Sequence, residues 1–393
     1  MAVEVDPVKV KNKLCFFNDV KKYFKERVSS IEKEVSNHFC AYNPIGYIPQ
    51  AVGIRFGRIL DLSPLHIFYL GRLFNLLTAV FLIFNAIKFA PFGKEIFLFT
   101  GLLPMTIHQL ASLSCDALTI SGLMFFTSQV LSLSQRTYIK YTSLVYLILS
   151  SLIFIQIKQG YIGYLLLLFI LSYHQFASKK GYLYLLSFAL LSHIALLIAF
   201  GQIVNIEDSM RIMPGYSGYY REQIDFIINN PINYGAIFLR TLTGKFIGIA
   251  ASGIGVLGWL DIRFPIVFYL FMLLTLIILL LINDEGILLK YYQRFILFAT
   301  FLTTLLIIFT IEFIVCTKPL SSYIRGIQGR YFIPTIPLLI LSFYKSKWGI
   351  IDKYNKLKMN KTNRNIIIFL IYIFVAFISI KTIYSHFIDF FNN

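Results

Sequence analysis

Charge is scarce in this sequence. Of 393 residues only 14% are Asp, Glu, Lys or Arg, against about a quarter in soluble domains. That shortage excludes an ordinary soluble globular protein, and the polar stretches between apolar runs are too short to hold a separate soluble domain. Cysteine is scarce too. None of Cys15, Cys40, Cys115 and Cys316 stands in a C-x-x-C pair, and the six histidines are scattered, which argues against a zinc site. No cofactor is expected, although a divalent metal stays open. No apolar stretch follows the opening residues, so the N-terminus does not read as a signal peptide.

Apolar and aromatic residues are what the chain does have. Hydrophobic residues make up 57% of it, with 39 Phe and 25 Tyr against 2 Trp, and the mean hydropathy is +0.71. Runs long enough to cross roughly 30 Å of hydrocarbon recur along the length. The fold class expected is all-α, a polytopic transmembrane helical bundle of about ten spanning helices. The candidate spans are 65–89, 96–113, 117–133, 141–157, 162–176, 182–201, 264–282, 295–315, 331–344 and 365–386. Residues 1–64 form a polar N-terminal segment, and 10–35 within it is charged and partly amphipathic, suited to an interfacial helix or a solvated one.

The formal net charge is +17, which invites a nucleic-acid reading. Position argues against it. The basic residues gather between apolar runs, most densely at Lys345, Lys347, Lys353, Lys356, Lys358, Lys361 and Arg364, as in the cytoplasmic loops of membrane proteins. Placing that cluster inside also places Lys88 and Lys94, Arg136 and Lys140, Lys179 and Lys180, and Lys290 and Arg294 inside, provided that 234–258 does not cross. This Gly-rich stretch, with Lys245 in it, is therefore expected to be re-entrant or interfacial. Residues 1–64 and the loops 202–263 and 316–330 then lie outside. An external N-terminal segment with no upstream helix to carry it implies that something precedes Met1.

Polar residues near the outer ends of spans are the candidates for chemistry: Arg72 in the first span, Asp116 at the start of the third, Lys158 after the fourth, and Arg325 and Arg330 around Gly326-Ile327-Gln328-Gly329. Ionisable groups in membrane segments are costly and default to functional hypotheses, but long cations also snorkel to headgroups as plain anchors. The substrate-binding candidates are Asp116, Lys158, Gln328, Arg330, Tyr331 and Arg72, suited to a phosphorylated lipid because Arg grips phosphate bidentately. The aromatic loop 214–220 offers faces for a sugar or an interfacial anchor. Gly253, Gly255 and Gly258 match G-x-G-x-x-G without the strand or βαβ unit that a nucleotide site needs. Close packing through small residues explains them better.

Several segments resemble a known family. They are Tyr47-Ile48-Pro49-Gln50-Ala51, Tyr69-Leu70-Gly71-Arg72-Leu73-Phe74-Asn75, Leu103-Pro104-Met105, Ser114-Cys115-Asp116-Ala117-Leu118, Leu257-Gly258-Trp259-Leu260-Asp261 and Gly326-Ile327-Gln328-Gly329-Arg330-Tyr331-Phe332-Ile333-Pro334. Together they resemble the membrane family called domain of unknown function 2142, over residues 42–344. The resemblance implies a relation to GT-C membrane glycosyltransferases, which use lipid-phosphate-linked sugars outside the membrane. Fuller family members open with an extra helix and an acidic external loop. No Asp-Glu pair precedes Tyr42 here, so no catalytic base is carried over.

The function expected is transfer of a sugar from a polyprenyl-phosphate-linked donor in bacterial envelope polysaccharide assembly, in the inner membrane, with the chain starting at Met1 expected to be an inactive form missing its front end. Its partners would be membrane lipids, the polyprenyl-phosphate-linked sugar and a polysaccharide acceptor, with no nucleic acid. The alternatives are a polysaccharide-lipid flippase, disfavoured by sparse mid-span charge and no internal duplication, and a non-catalytic partner subunit.

Overall fold

The computed structural model describes residues 42–203, 218–258, 260–282, 289–344 and 361–392. The stretch 10–35, Cys15, Cys40, most of the aromatic loop 214–220 and most of the basic cluster 345–364 lie outside the described residues.

The described chain is almost entirely helical. A short 3-10 turn leads into α1 (Ile48–Ile59), followed by α2 (Pro64–Phe89), α3 (Lys94–Gly101), α4 (Pro104–Leu110), α5 (Asp116–Ser134) and α6 (Tyr141–Phe154). Two 3-10 stretches, Ile155–Ile157 and Gln159–Ile170, lead toward α7 (Lys179–Ile203). Then come α8 (Tyr220–Asn229), α9 (Pro231–Gly255), a two-residue antiparallel pair β1 (Val256–Leu257) and β2 (Ile262–Arg263), α10 (Ile266–Ile282) and α11 (Tyr291–Cys316). A 3-10 helix, Gly329–Thr335, runs into α12 (Ile336–Phe343), and α13 (Lys361–Asn392) is the last element described.

Among the described residues six helices are long and apolar enough to cross a membrane: α2, α5, α7, α9, α11 and α13. Four further apolar segments are shorter, Tyr141–Ile157, Gln159–Ile170, Ile266–Ile278 and Gly329–Phe343. Five of the six lie on the ten expected spans; the sixth, α9, covers the stretch 234–258 that was expected not to cross, so the count falls short of about ten. Proline accounts for one shortfall. The run 96–113 is not one helix but α3 and α4, broken at Leu102 and Leu103. Pro104 has no N–H to continue the ladder and drives the residue before it out of the helical region, and Leu103 has ψ 136°. The run 162–176 begins as part of a 12-residue 3-10 helix. At about 2.0 Å of rise per residue that tighter helix still reaches about 24 Å.

The stretch 202–263, expected as an external loop, contains α8, α9 and the small hairpin. Helix α9 is 25 residues long, and its contacts show how it lies. Near its start the Tyr234 hydroxyl bonds Thr310 of α11 at 2.7 Å, and Phe238 packs on Phe309. Midway, Lys245 donates to the Ile324 carbonyl. Near its end the Ser252 hydroxyl accepts the Gly329 N–H at 2.8 Å. Tyr234 and Ser252 are about 27 Å apart along the helix, so α9 meets α11 and the Gly329 segment at separate points. Helix α9 thus packs on α11 near its start and on the 3-10 helix Gly329–Thr335 near its end. Small residues permit this: Gly253 lies backbone to backbone on Gly329, and Gly255 meets the Phe264 ring.

Candidate functional site

The site is assembled where the start of α5, Lys158 and the 3-10 helix Gly329–Thr335 meet. A hydrogen-bonded scaffold comes first. Asn75 of α2, almost fully buried, donates from Nδ2 to the carbonyls of Ser112 (2.8 Å) and Ser114 (3.1 Å) and to Gln50 Oε1 of α1 (3.3 Å). One turn earlier, Arg72 donates from Nε to the Ala111 carbonyl at 2.6 Å, and its guanidinium lies over the rings of Phe68 and Tyr69. These two side chains pin the loop 111–115 that delivers Asp116 to the first position of α5. A carboxylate there is favoured by the helix dipole, and Ser114 Oγ accepts the Asp116 N–H.

Asp116 and Lys158 form a buried ion pair through Oδ1 and Nζ. Their side chains are only 8% and 11% exposed. The ammonium also faces the rings of Tyr42 (4.6 Å) and Tyr331 (5.6 Å), a favourable placement for a desolvated cation. On the other side of the carboxylate, Arg330 Nε lies 4.0 Å from Asp116 Oδ2, with its guanidinium over the Tyr331 ring. The Tyr161 hydroxyl donates to the Tyr331 carbonyl at 2.8 Å and ties the wall together. The Tyr42 phenol is pulled down by Lys158, but burial and the nearby Asp116 carboxylate outweigh that and raise it, so it stays neutral. Burial also raises the Cys115 thiol, above the downward pull of Lys158, which leaves it a poor nucleophile.

Asp116 and Lys158 are nearly saturated by each other. Arg330 is not. Its side chain is 32% exposed, and its buried Nε has no hydrogen-bond acceptor. The group with spare capacity in this cluster is the one chemically suited to an oxyanion.

Of the residues expected at the site, Asp116, Lys158, Arg330 and Tyr331 are brought together. Arg72 supports the loop instead, although both Arg72 and Arg330 act electrostatically on His108 of α4. Gln328 is half-buried, and its carbonyl accepts the Tyr331 N–H. Its side chain bonds no other described residue.

Glu312 was missed. It lies one turn before the end of α11 and acts electrostatically on Tyr42 and Tyr331, and it in turn feels Lys158 and Arg330. The loop carrying Arg330 passes close over it at Gly326, whose φ is +83°. A Cβ at Gly326 would collide with Glu312 Oε2, so both the backbone and the space demand glycine. The signal was present in the sequence: one carboxylate inside the apolar run 295–315 is a functional-site hypothesis by default.

Among the described residues no group of three His, Cys, Asp or Glu is placed to hold a metal ion, and Cys115 and Cys316 are free thiols. The cluster is a charged, tyrosine-walled group of side chains at one end of a helical membrane bundle.

Residues 9–339 match a family of predicted membrane proteins, domain of unknown function 2142 (DUF2142). The chain belongs to that family. No curated protein and no solved structure matches it.

Proposed function

We propose that this protein is a GT-C-like glycosyltransferase of a bacterial inner membrane, acting on a polyprenyl-phosphate-linked sugar in envelope polysaccharide assembly. The observation that carries the reading is Arg330, its side chain about a third exposed, beside a buried Lys158–Asp116 pair. Family membership and the convergence of Gln50, Asn75, Asp116 and Arg330 on this one place support it.

In this reading the donor phosphate sits on Arg330, with Lys158 behind it. An acceptor hydroxyl attacks the anomeric carbon, and the bond from that carbon to the phosphate oxygen breaks. The leaving polyprenyl phosphate keeps the electron pair and is stabilised by Arg330. Glu312 is the carboxylate of the cluster without an ion-pair partner among the described residues, and it takes the acceptor proton as general base. Asp116 holds Lys158 and the loop in place.

The test is native mass spectrometry of the purified chain with polyprenyl phosphate and with the matching polyprenol. The parent should retain the phosphate and not the alcohol. Arg330→Lys should weaken that retention about tenfold, because a point charge replaces the planar fork. Glu312→Gln should retain the phosphate while abolishing glycan formation in cells lacking the native gene, and Lys381→Gln on α13 should behave as the parent. Equal retention by Arg330→Lys and the parent would remove Arg330 from the site and with it this reading.

A further inference from the structure

A second feature lies away from the charged cluster. Between the C-terminal parts of α2 and α5 and the length of α6 there is a cavity of about 530 Å³, within the range of sites that hold small molecules, about 300–1,000 Å³. Its two ends differ chemically. At one end stands Arg136, just past α5, exposed and bonded from Nη1 to Ser143 Oγ at 3.2 Å. Among the described residues no carboxylate pairs with it, and no acidic residue lines the cavity.

The other end is aromatic. Phe89, Phe125 and Phe154 form a connected floor, with ring centroids 6.1 Å and 6.3 Å apart in succession. Phe154 is seated directly on Gly122, where a Cβ would overlap the ring. This floor begins about 16 Å along α5 from Arg136. Between the ends Ser150 donates to Gln129 Oε1 at 2.6 Å, and most of the remaining lining is apolar. The rim faces outward: Tyr146 is 68% exposed and Leu149 49%.

The cation fixes which end takes a headgroup, and the separation of the two ends suits an acyl chain laid along α5. A hydrocarbon-facing slot is filled by lipid tails by default, but a single cation at its mouth selects among headgroups. We infer that this groove is a binding site for an anionic glycerophospholipid, its phosphate on Arg136 and one acyl chain over Phe89, Phe125 and Phe154. Lys88 and Lys140, next to the rim in sequence, add to the attraction for an anionic surface. The site is independent of the Asp116 cluster: none of the residues lining it belongs to that cluster.

The experiment is native mass spectrometry of the full chain in detergent, titrated with phosphatidylglycerol or with phosphatidylcholine of the same acyl chains. The parent should retain phosphatidylglycerol about fivefold better, the scale of one basic residue's attraction. Arg136→Gln should erase that preference while leaving weaker, headgroup-blind retention. Ile153→Trp, which fills the slot from its rim, should lower retention of both lipids, and Lys381→Gln should change neither. An unchanged preference in Arg136→Gln overturns the proposal, as does undiminished retention in Ile153→Trp. Arg136-dependent retention of polyprenyl phosphate in preference to phosphatidylglycerol overturns it too, since the groove would then serve a different lipid.

Discussion

Helix α5 has a mean hydropathy of 1.4 over its most apolar stretch, and 78% of that stretch is buried in the protein; for α13 the values are 2.0 and 6%. The less apolar helix is the one at the centre. In water the ranking would be reversed. In a bilayer, lipid tails are as apolar as leucine, so there is no hydrophobic reason to hide a helix such as α13. What must be hidden is polarity and small size. Helix α5 carries Thr119, Ser121 and Thr127, all buried, whose hydroxyls turn back onto the carbonyls of Cys115, Ala117 and Leu123. It also carries Gly122 beneath Phe154, and Asp116 at its head. Helix α13 spends its outward positions on Phe369, Leu370, Ile373, Phe377 and Ile380, all half or more exposed. A span's share of protein contact is read here from its polar and small residues, not from its hydropathy.

Breaking the buried end of α5 should have the largest effect. Lys158→Met leaves the Asp116 carboxylate without its main partner and should destabilise the protein by about 3–5 kcal/mol, measured as a shift of the unfolding midpoint in detergent. Adding Asp116→Asn should recover much of that loss, because the buried carboxylate left without its lysine is then neutral. If the single and double variants are equally unstable, the pair is not what holds this end.

Overfilling the middle of the same helix should cost less. Gly122→Val drives two methyl groups into the Phe154 ring, and overpacking of this kind costs about 1–3 kcal/mol. A midpoint indistinguishable from the parent would mean that α5 and α6 are not in close contact there.

The smallest effect belongs to the other helix. Ala376→Leu on α13 places a larger apolar side chain at an exposed position, and the midpoint should stay within about 0.5 kcal/mol. A loss comparable to that of Gly122→Val would show α13 packed against something, and the comparison would fail.

How much of this was legible in the sequence varied by element. The ends of α2 and α5 lie within a residue of the runs 65–89 and 117–133, because a long apolar run between polar caps is a local signal. The break inside 96–113 was legible as well, since Pro104 is in plain view, but a run of apolar residues on both sides masked it. Glu312 went unread for a similar reason: a single carboxylate hardly lowers the mean of a 21-residue window. The stretch 234–258 was expected not to cross. What the sequence did not reveal was one continuous helix, because its glycines read as breakers, whereas Gly253 and Gly255 serve as contact points for Gly329 and Phe264.

Composition and pattern alone determined that this is a helical membrane protein, since only continuous helices satisfy the backbone of such apolar segments in lipid. They also determined that Asp116, Lys158 and Arg330 stand near span ends. Tertiary structure alone decided that Asp116 meets Lys158 across 42 residues of chain, that Arg330 closes on the same carboxylate from beneath α9, and that Arg72 serves the loop instead. Hydropathy is a property of each segment taken separately. An ion pair depends on which segments become neighbours, and that is set by where small residues allow helices to touch and where buried charges find partners.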